Sequence, residues 1–344
     1  MRKRIDSKEL VYRALSFEAL PRTPYCIDFT VPALQKLRAS EAGSALHARL
    51  ANDLLLTPVI RVEWGTRDEH GLYRDEFGLV WDRSIDPDIG IPHPFVTPDN
   101  LDRIAWPDPA APGRFDALKG NVKDHADRFQ VMSLDFSLYE RAWGMRGLET
   151  MYLDMAERPQ FVEALLDRVL DFNLGVIEAG LAACPEIDAV HFGDDFGDQG
   201  GISIGPARWR TLLKPRLARQ YALVRSAGKK VSIHSCGCVQ DILDDLVEIG
   251  VDLFNPFQPE VIDVRKTFQA YRGRLAFWGG ISTQRLLPYA SPAEVRESVQ
   301  GLIGMGRSGG YVIAPAHAVP GDARERNLHV MLRAILDQSG PAAS

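Results

Sequence analysis

The chain has 344 residues, 45% of them hydrophobic, which is enough to bury one large core or two ordinary ones. Its net charge of -6 and isoelectric point near 5.8 leave no basic surplus for a phosphate backbone or an anionic bilayer, so we expect neither nucleic-acid nor membrane partners. We expect a cytoplasmic protein with reduced thiols, because the sequence has four cysteines, no signal-peptide pattern and no run of eighteen apolar residues.

Eight short apolar runs alternate with longer helical patterns, which is typical of repeated βα units. In chain order the predicted strands are residues 23–29, 57–63, 130–136, 189–194, 230–234, 253–257, 275–279 and 310–315. Helices are predicted between several of them, at residues 159–183, 206–227, 239–249 and 292–304, the last with Ser291 as N-cap. This order predicts an α/β fold consisting of a single (β/α)8 TIM barrel.

An N-terminal extension and one insertion are expected to decorate this barrel. The insertion covers about residues 66–112. Within it, residues 71–81 have the pattern of a β-hairpin, and residues 86–112, rich in proline and aspartate, are predicted to form a long surface connection. We therefore predict one domain over residues 1–344.

Polar residues follow the predicted strands at the points where the strands end. In barrels of this kind the carboxyl ends of the strands and the loops after them carry the reactive groups. The candidates, in chain order, are Asp28, Asp135, His191, Asp194, Asp195, His234, Cys236, Asn255, Gln258, Trp278 and His317. We expect them to line one mouth of the barrel.

The most specific pattern is the strand end Val231-Ser232-Ile233-His234-Ser235-Cys236-Gly237. Alternate residues of an extended chain point to one side, so His234 and Cys236 can direct an imidazole and a thiolate to a common point. These are zinc-type ligands, and His317 after the last strand offers a third donor across the mouth. A buried structural cysteine with two hydrogen-bonded histidines is the other interpretation of the same residues.

Three segments of the sequence resemble the uroporphyrinogen decarboxylase superfamily. They are residues 140–159 (ERAWGMRGLETMYLDMAERP), 193–237 (GDDFGDQGGISIGPARWRTLLKPRLARQYALVRSAGKKVSIHSCG) and 309–332 (GGYVIAPAHAVPGDARERNLHVML). With the spacing between them, the resemblance covers most of the chain from about residue 130 onward. It implies the superfamily's TIM-barrel fold.

The resemblance is closer to one branch of this superfamily. True uroporphyrinogen decarboxylases carry an arginine-rich Met-Arg-Gln-Ala-Gly-Arg segment after the first strand, whereas this chain has Tyr25-Cys26-Ile27-Asp28-Phe29-Thr30. A substrate with eight carboxylates needs such guanidinium groups. In the cobalamin-linked methyltransferases a His-x-Cys strand end and a later cysteine or histidine hold zinc, which implies His234, Cys236 and His317 as ligands. His317 stands where some members have cysteine, so the acceptor need not be a thiol.

The remaining candidates are predicted to act on the substrate. Asp194 and Asp195 are the predicted catalytic residues. As neighbours in an extended chain they point to opposite sides, so one of them, with Asp195 favoured, would face the pocket, and capping of a loop is the alternative for both. Substrate-binding roles are predicted for Asp28, Asp135, His191, Asn255, Gln258 and Trp278.

The resulting hypothesis is a zinc-dependent methyltransferase or demethylase. It would act with a corrinoid protein or on a small methylated compound, and would move a methyl group between that compound or a corrinoid and an acceptor. The alternatives are a metal-free decarboxylase, in which Asp28 or Asp194 stabilises a protonated intermediate, and a binding barrel without turnover.

Overall fold

The computed structural model describes residues 5–60, 66–67, 72–84, 86 and 88–338. The strands are β1 Leu54–Pro58, β2 Thr66–Arg67, β3 Tyr73–Arg74, β4 Val80–Asp82, β5 Ile91–His93, β6 Phe129–Leu134, β7 Ala189–Gly193, β8 Lys230–His234, β9 Leu253–Phe257, β10 Ala276–Ile281 and β11 Tyr311–Pro315. The helices are α1 Ser7–Leu15, α2 Val31–Arg38, α3 Glu41–Ala48, α4 Asp116–Asp124, α5 Tyr139–Arg146, α6 Leu148–Glu157, α7 Pro159–Ala183, α8 Pro206–Leu212, α9 Lys214–Ser226, α10 Leu243–Glu248, α11 Val264–Ala270, α12 Leu286–Tyr289, α13 Pro292–Gly306 and α14 Glu325–Leu336.

Seven strands form one parallel sheet in the order β1-β6-β7-β8-β9-β10-β11, which confirms the predicted α/β class. Strands β6, β7, β9, β10 and β11 are buried at every position, and β8 at its three central positions, because helices cover the sheet. The register pairs Gly193 with His234 and His234 with Asn255. Candidate residues of neighbouring strands therefore lie side by side at the carboxyl edge of the sheet.

The predicted first strand, residues 23–29, is not a regular strand. It forms two isolated bridges, Tyr25 with Ile313 of β11 and Phe29 with Val319 beyond that strand, and the Tyr25 carbonyl accepts from the Asp53 N–H at 2.9 Å. The Tyr25 N–H donates to the Asp53 carboxylate, and Pro24 has no N–H, so this segment cannot form a continuous ladder. The prediction of eight regular strands is corrected to seven strands and an extended segment.

The other predicted strands agree with the structure within a few residues. The largest shift is in the second run, residues 57–63, because the strand itself is β1, Leu54–Pro58. Residues 61–63 of that prediction lie outside the described residues. Strands β8 and β9 have the predicted bounds, and these are the strands that position the candidate site.

The insertion after β1 is a small antiparallel sheet in the order β2-β3-β4-β5. Its β3–β4 pair is the predicted hairpin, except that Gly71 lies outside the described residues. Residues 86–112 are not wholly irregular, as they contain β5 and a 3-10 turn, Leu101–Arg103. The Met145 carbonyl accepts from the N–H groups of Phe95 and Val96, which anchors this connection to α5.

The predicted helices are present, although two of them are subdivided. One is the predicted helix 239–249, which consists of a 3-10 turn, Gln240–Ile242, followed by α10. Helix α7 has the predicted bounds, and α13 begins with a complete capping box between Ser291 and Glu294. The predicted helix 206–227 is split at Leu213 into α8 and α9. Among the described residues, no helix combines the length and apolar content that crossing a bilayer requires.

Candidate metal centre

Three predicted donors converge at the carboxyl edge of the parallel sheet. His234 ends β8, Cys236 lies two residues later, and His317 lies just beyond β11. One donor atom from each of them lies within 4.8 Å of the others, and the Cys236 Sγ is 3.2 Å from the His234 Nε2. A tetrahedral zinc ion, with bonds of about 2.0 to 2.3 Å, holds its ligand atoms roughly 3.5 Å apart, so the arrangement is close to the required size.

The protein sets the orientation and the tautomer of His234. The side-chain nitrogen of Asn255, Nδ2, faces β10, where it donates to the Trp278 carbonyl at 3.0 Å. The Asn255 Oδ1 therefore faces His234 and accepts from its Nδ1 at 2.6 Å. With the proton on Nδ1, the Nε2 lone pair points to Cys236 and is ready to bind a metal.

Carboxylates surround the Cys236 thiol. The Asp195 Oδ1 accepts from the Cys236 N–H at 2.7 Å and lies 3.7 Å from the His234 Nε2. Burial raises the pKa of the Cys236 thiol, and the Asp195 and Glu140 carboxylates raise it further. A thiolate at this position therefore requires a nearby positive charge, which a divalent cation supplies.

The donor set fits zinc on these grounds. It offers two imidazoles and one thiol, and the hydrogen bond between His234 and Asn255 holds one imidazole in place. Catalytic zinc sites share these features, with three protein ligands and one exchangeable position.

A cavity of about 580 Å³ opens beside Cys236 and His317. Gln258, predicted to bind substrate, lines it together with Thr30 and Thr283. Loops after β7 and β8 enclose one side. Gly237 has a φ of +84°, and a Cβ there would lie 2.5 Å from the Gly197 carbonyl carbon, so only glycine allows these loops to approach so closely.

Asp194 takes a different position from Asp195. Its side chain is buried and accepts hydrogen bonds from the N–H groups of Leu138, Tyr139 and Glu140, at 3.3, 3.0 and 2.7 Å. Burial raises the Asp194 pKa to about 7 in spite of these three donors. Asp194 therefore caps the start of α5, as the capping alternative has it, and a catalytic role for Asp194 stays a prediction.

The other predicted substrate-binding residues lie at different depths. His191 is buried below His234, with its Nδ1 2.9 Å from the Ser232 Oγ, and burial lowers its pKa to about 3, so the ring is neutral. The Trp278 ring lies 5.5 Å from the His191 ring, below the cavity. Asp135 accepts from the Ser133 hydroxyl at 2.7 Å.

Asp28 and Asn255 complete the predicted set. Asp28 lies near His317, and burial of its carboxyl raises its pKa, although the Phe29 N–H and His317 oppose the rise. Both ends of the Asn255 amide have a protein partner, His234 and the Trp278 carbonyl, and its substrate-binding role stays a prediction.

Glu140 lies close to Cys236, and for this residue the sequence allows a substrate contact but favours a helix-starting ion pair. It lies in the first turn of α5, and burial and the Asp195 and Asp194 carboxylates raise its pKa. The sequence signal that points to Glu140 as a site residue is its position shortly after the strand that ends near Asp135.

Replacing Asp194 and Asp195 separately should have different effects. In Asp194→Asn the amide NH2 would face backbone N–H donors, so we expect the free energy of unfolding to fall by about 1–3 kcal/mol. In Asp195→Asn the amide oxygen still accepts from Cys236, so we expect stability within about 0.5 kcal/mol and weaker metal binding. Urea unfolding and zinc titration of both variants measure this, and a fully stable Asp194→Asn protein would rule out the capping role.

Removing the Asn255 amide should loosen the metal centre. We expect Asn255→Ala to bind zinc about 10–100-fold more weakly, because the His234 tautomer and ring orientation are no longer fixed. Asn255→Asp keeps an acceptor for Nδ1 and should retain most of the affinity. Asn327→Ala is the matched control, since this buried amide binds three carbonyls near α12, away from the site. Equal losses of zinc affinity in Asn255→Ala and Asn327→Ala would contradict the assignment.

Comparisons with known proteins bear on the family and the fold of the chain. The sequence model of the uroporphyrinogen decarboxylase family matches residues 84–337. A methyltransferase from Methanosarcina mazei has a similar structure, with a TM-score of 0.64 and 16% identity, covering 96% of this chain and 98% of that one. No curated protein matches in sequence.

Two further solved structures are only distantly similar, with TM-scores below 0.5. A bacterial fucosidase matches with a TM-score of 0.40 and 12% identity, covering 97% of this chain and 64% of that one. A sugar phosphate isomerase/epimerase from Parabacteroides distasonis matches with a TM-score of 0.38 and 10% identity, over 92% and 97% of the two chains.

Proposed function

Because this chain belongs to the uroporphyrinogen decarboxylase family, we propose that it is a zinc-dependent methyltransferase or demethylase within that family. The observation that carries the proposal is the convergence of His234, Cys236 and His317 beside a cavity of about 580 Å³. The fold shared with a methyltransferase is in keeping with it. The methyl group would move between a small methylated compound or a corrinoid and an acceptor, with a corrinoid protein as the partner.

His234, Cys236 and His317 would hold the zinc, with Asn255 orienting His234. Zinc bound there would supply a Lewis acid that favours the deprotonated form of an acceptor thiol or polarises the methyl-bearing atom of a donor. The cavity would hold the donor and acceptor in line. In the transfer, the bond from the methyl carbon to the acceptor forms as the bond to the donor breaks, and the electron pair of the broken bond stays on the donor.

The cavity is poorly suited to a porphyrinogen. Its lining, within the described part of the chain, contains no lysine or arginine, and its charged members include Asp198 and Asp322. Eight substrate carboxylates would meet negative charge there without guanidinium partners. This argues for methyl transfer over decarboxylation of such a substrate.

Methyl transfer can be followed directly with free cobalamin. Under anaerobic conditions the zinc-loaded protein should convert methylcobalamin and a thiol to cob(I)alamin and a methyl thioether. In the reverse direction it should transfer the methyl group of a methyl ether to cob(I)alamin, giving methylcobalamin and an alcohol. Both reactions change the visible spectrum of the cobalamin. Removing the zinc with a chelator should abolish the reaction, and restoring zinc should recover it. Turnover that is indifferent to zinc, or CO2 release from a carboxylic acid by the metal-free protein, would contradict the proposal.

A further inference from the structure

Asp195 lies against two of the three side chains that would hold the zinc. It follows β7, and its Oδ1 lies 3.7 Å from the His234 Nε2 and accepts from the Cys236 N–H at 2.7 Å. The Asp195 side chain is 36% exposed, whereas that of Asp194 is sealed in the core at the start of α5. The Asp195 carboxylate is therefore close to any ion that His234 and Cys236 bind.

The spacing between Asp195 and His234 is close to that of two ligands of one zinc ion. Oxygen and nitrogen ligands with bonds of about 2.0 to 2.2 Å lie roughly 3.3 to 3.5 Å apart around a tetrahedral ion. The observed 3.7 Å exceeds this by little, and the 3.2 Å between Cys236 Sγ and His234 Nε2 falls short of its own expected value by a similar amount. Asp195 is not among the three donors that lie within 4.8 Å of one another, so its carboxylate has to turn toward His317 for all four to bind.

Charge also favours a carboxylate at this ion. Zinc with two imidazoles and one thiolate keeps one positive charge, and a partly buried charge is costly unless it is paired. Among the described residues, Asp195 forms its ion pair with His234 and with no lysine or arginine, so its own charge is available. The hydrogen bond from the Cys236 N–H would hold the carboxylate in place, as such bonds commonly do for carboxylates that bind metals.

We propose that Asp195 is the fourth protein ligand of the zinc ion when no substrate is bound. The inference rests on the proposed function and completes its metal centre as a site without net charge. An acceptor that binds the zinc must then take the place of Asp195 or add to the four ligands as a fifth. The competing interpretation is that Asp195 only positions Cys236 through its N–H, and that water occupies the fourth place.

A crystal structure of the zinc-loaded full chain without substrate separates these interpretations. Anomalous scattering at the zinc edge locates the ion. We expect one Asp195 oxygen at about 2.0 to 2.2 Å from the zinc, beside His234, Cys236 and His317. A water molecule at that distance, with Asp195 hydrogen-bonded to the Cys236 N–H and not bound to the ion, would overturn the proposal.

Zinc affinity measured by competition with a chelator gives a second test in solution. Asp195→Asn should bind zinc roughly 100-fold more weakly or worse, beyond the loss that residues behind the ligands usually give. Asp198→Asn is the matched control, because Asp198 is a carboxylate of the same loop that lines the cavity and accepts from the N–H groups of Gly200 and Gly201. The control should stay within about threefold of the parent, since exposed charges act weakly. Equal losses in the two variants would show an effect of charge near the zinc and would contradict a bond to Asp195.

The outcomes distinguish this inference from the proposed function. Zinc held by His234, Cys236, His317 and a water molecule would remove the role of Asp195 and leave the metal centre in place. A parent protein that takes up no zinc would remove the proposed function, and the inference with it.

Discussion

Cys236→Ser should bind zinc at least about 100-fold more weakly than the parent, a larger loss than residues behind the ligands usually give. The thiolate is the only anionic donor among the three converging side chains, and a serine hydroxyl is a poor substitute for it. His317→Ala should lower the affinity less, because it removes a neutral donor. Competition with a chromophoric chelator measures the three dissociation constants.

Cys238→Ser provides the control for this result. Cys238 is a second, partly exposed thiol two residues along the chain and outside the converging group. Its variant should bind zinc as the parent does. If Cys236→Ser binds zinc as tightly as Cys238→Ser, the thiol of Cys236 is structural and the metal centre is wrongly placed.

Asp75→Ala should produce the largest loss of stability, about 3–5 kcal/mol in the free energy of unfolding. The Asp75 carboxylate pairs with the buried Arg141 guanidinium at 2.7 Å and accepts from the Trp81 Nε1 at 3.0 Å. Burial lowers the Arg141 pKa and Asp75 opposes this, so removing Asp75 leaves an uncompensated buried charge. Urea unfolding monitored by circular dichroism measures the difference.

A surface pair of similar length calibrates that measurement. Asp244 lies 2.7 Å from Arg274, but both side chains are more than half exposed. Asp244→Ala should cost no more than about 1 kcal/mol, because water screens the pair. If Asp75→Ala were as mild as Asp244→Ala, the small antiparallel sheet would not depend on its ion pair with α5.

The sequence is sufficient to predict the class of fold and the three donors. Strand parity places His234 and Cys236 on one side, and His317 follows the end of another apolar run. Both signals are local, because they depend on alternation along a strand and on the rule that parallel strands share a carboxyl edge. The family is also predictable, and the match over residues 84–337 confirms it.

Residue roles that depend on distant hydrogen bonds cannot be predicted in this way. Asp194 and Asp195 are neighbours, yet one caps a helix that begins about 55 residues earlier and the other contacts Cys236. Asn255 orients His234 only because the register between β8 and β9 places them opposite each other. The first predicted strand fails for a similar reason, since the Asp53 side chain takes the N–H that a ladder would use.

Zinc-edge X-ray absorption of the zinc-loaded parent protein tests the central claim most directly. We expect about one zinc per chain, with one sulfur at about 2.3 Å, two imidazole nitrogens at about 2.0–2.1 Å and one further light atom. The sulfur should disappear in Cys236→Ser and persist in Cys238→Ser. A zinc environment with two sulfurs, one with no sulfur, or a protein that takes up no zinc would contradict the account.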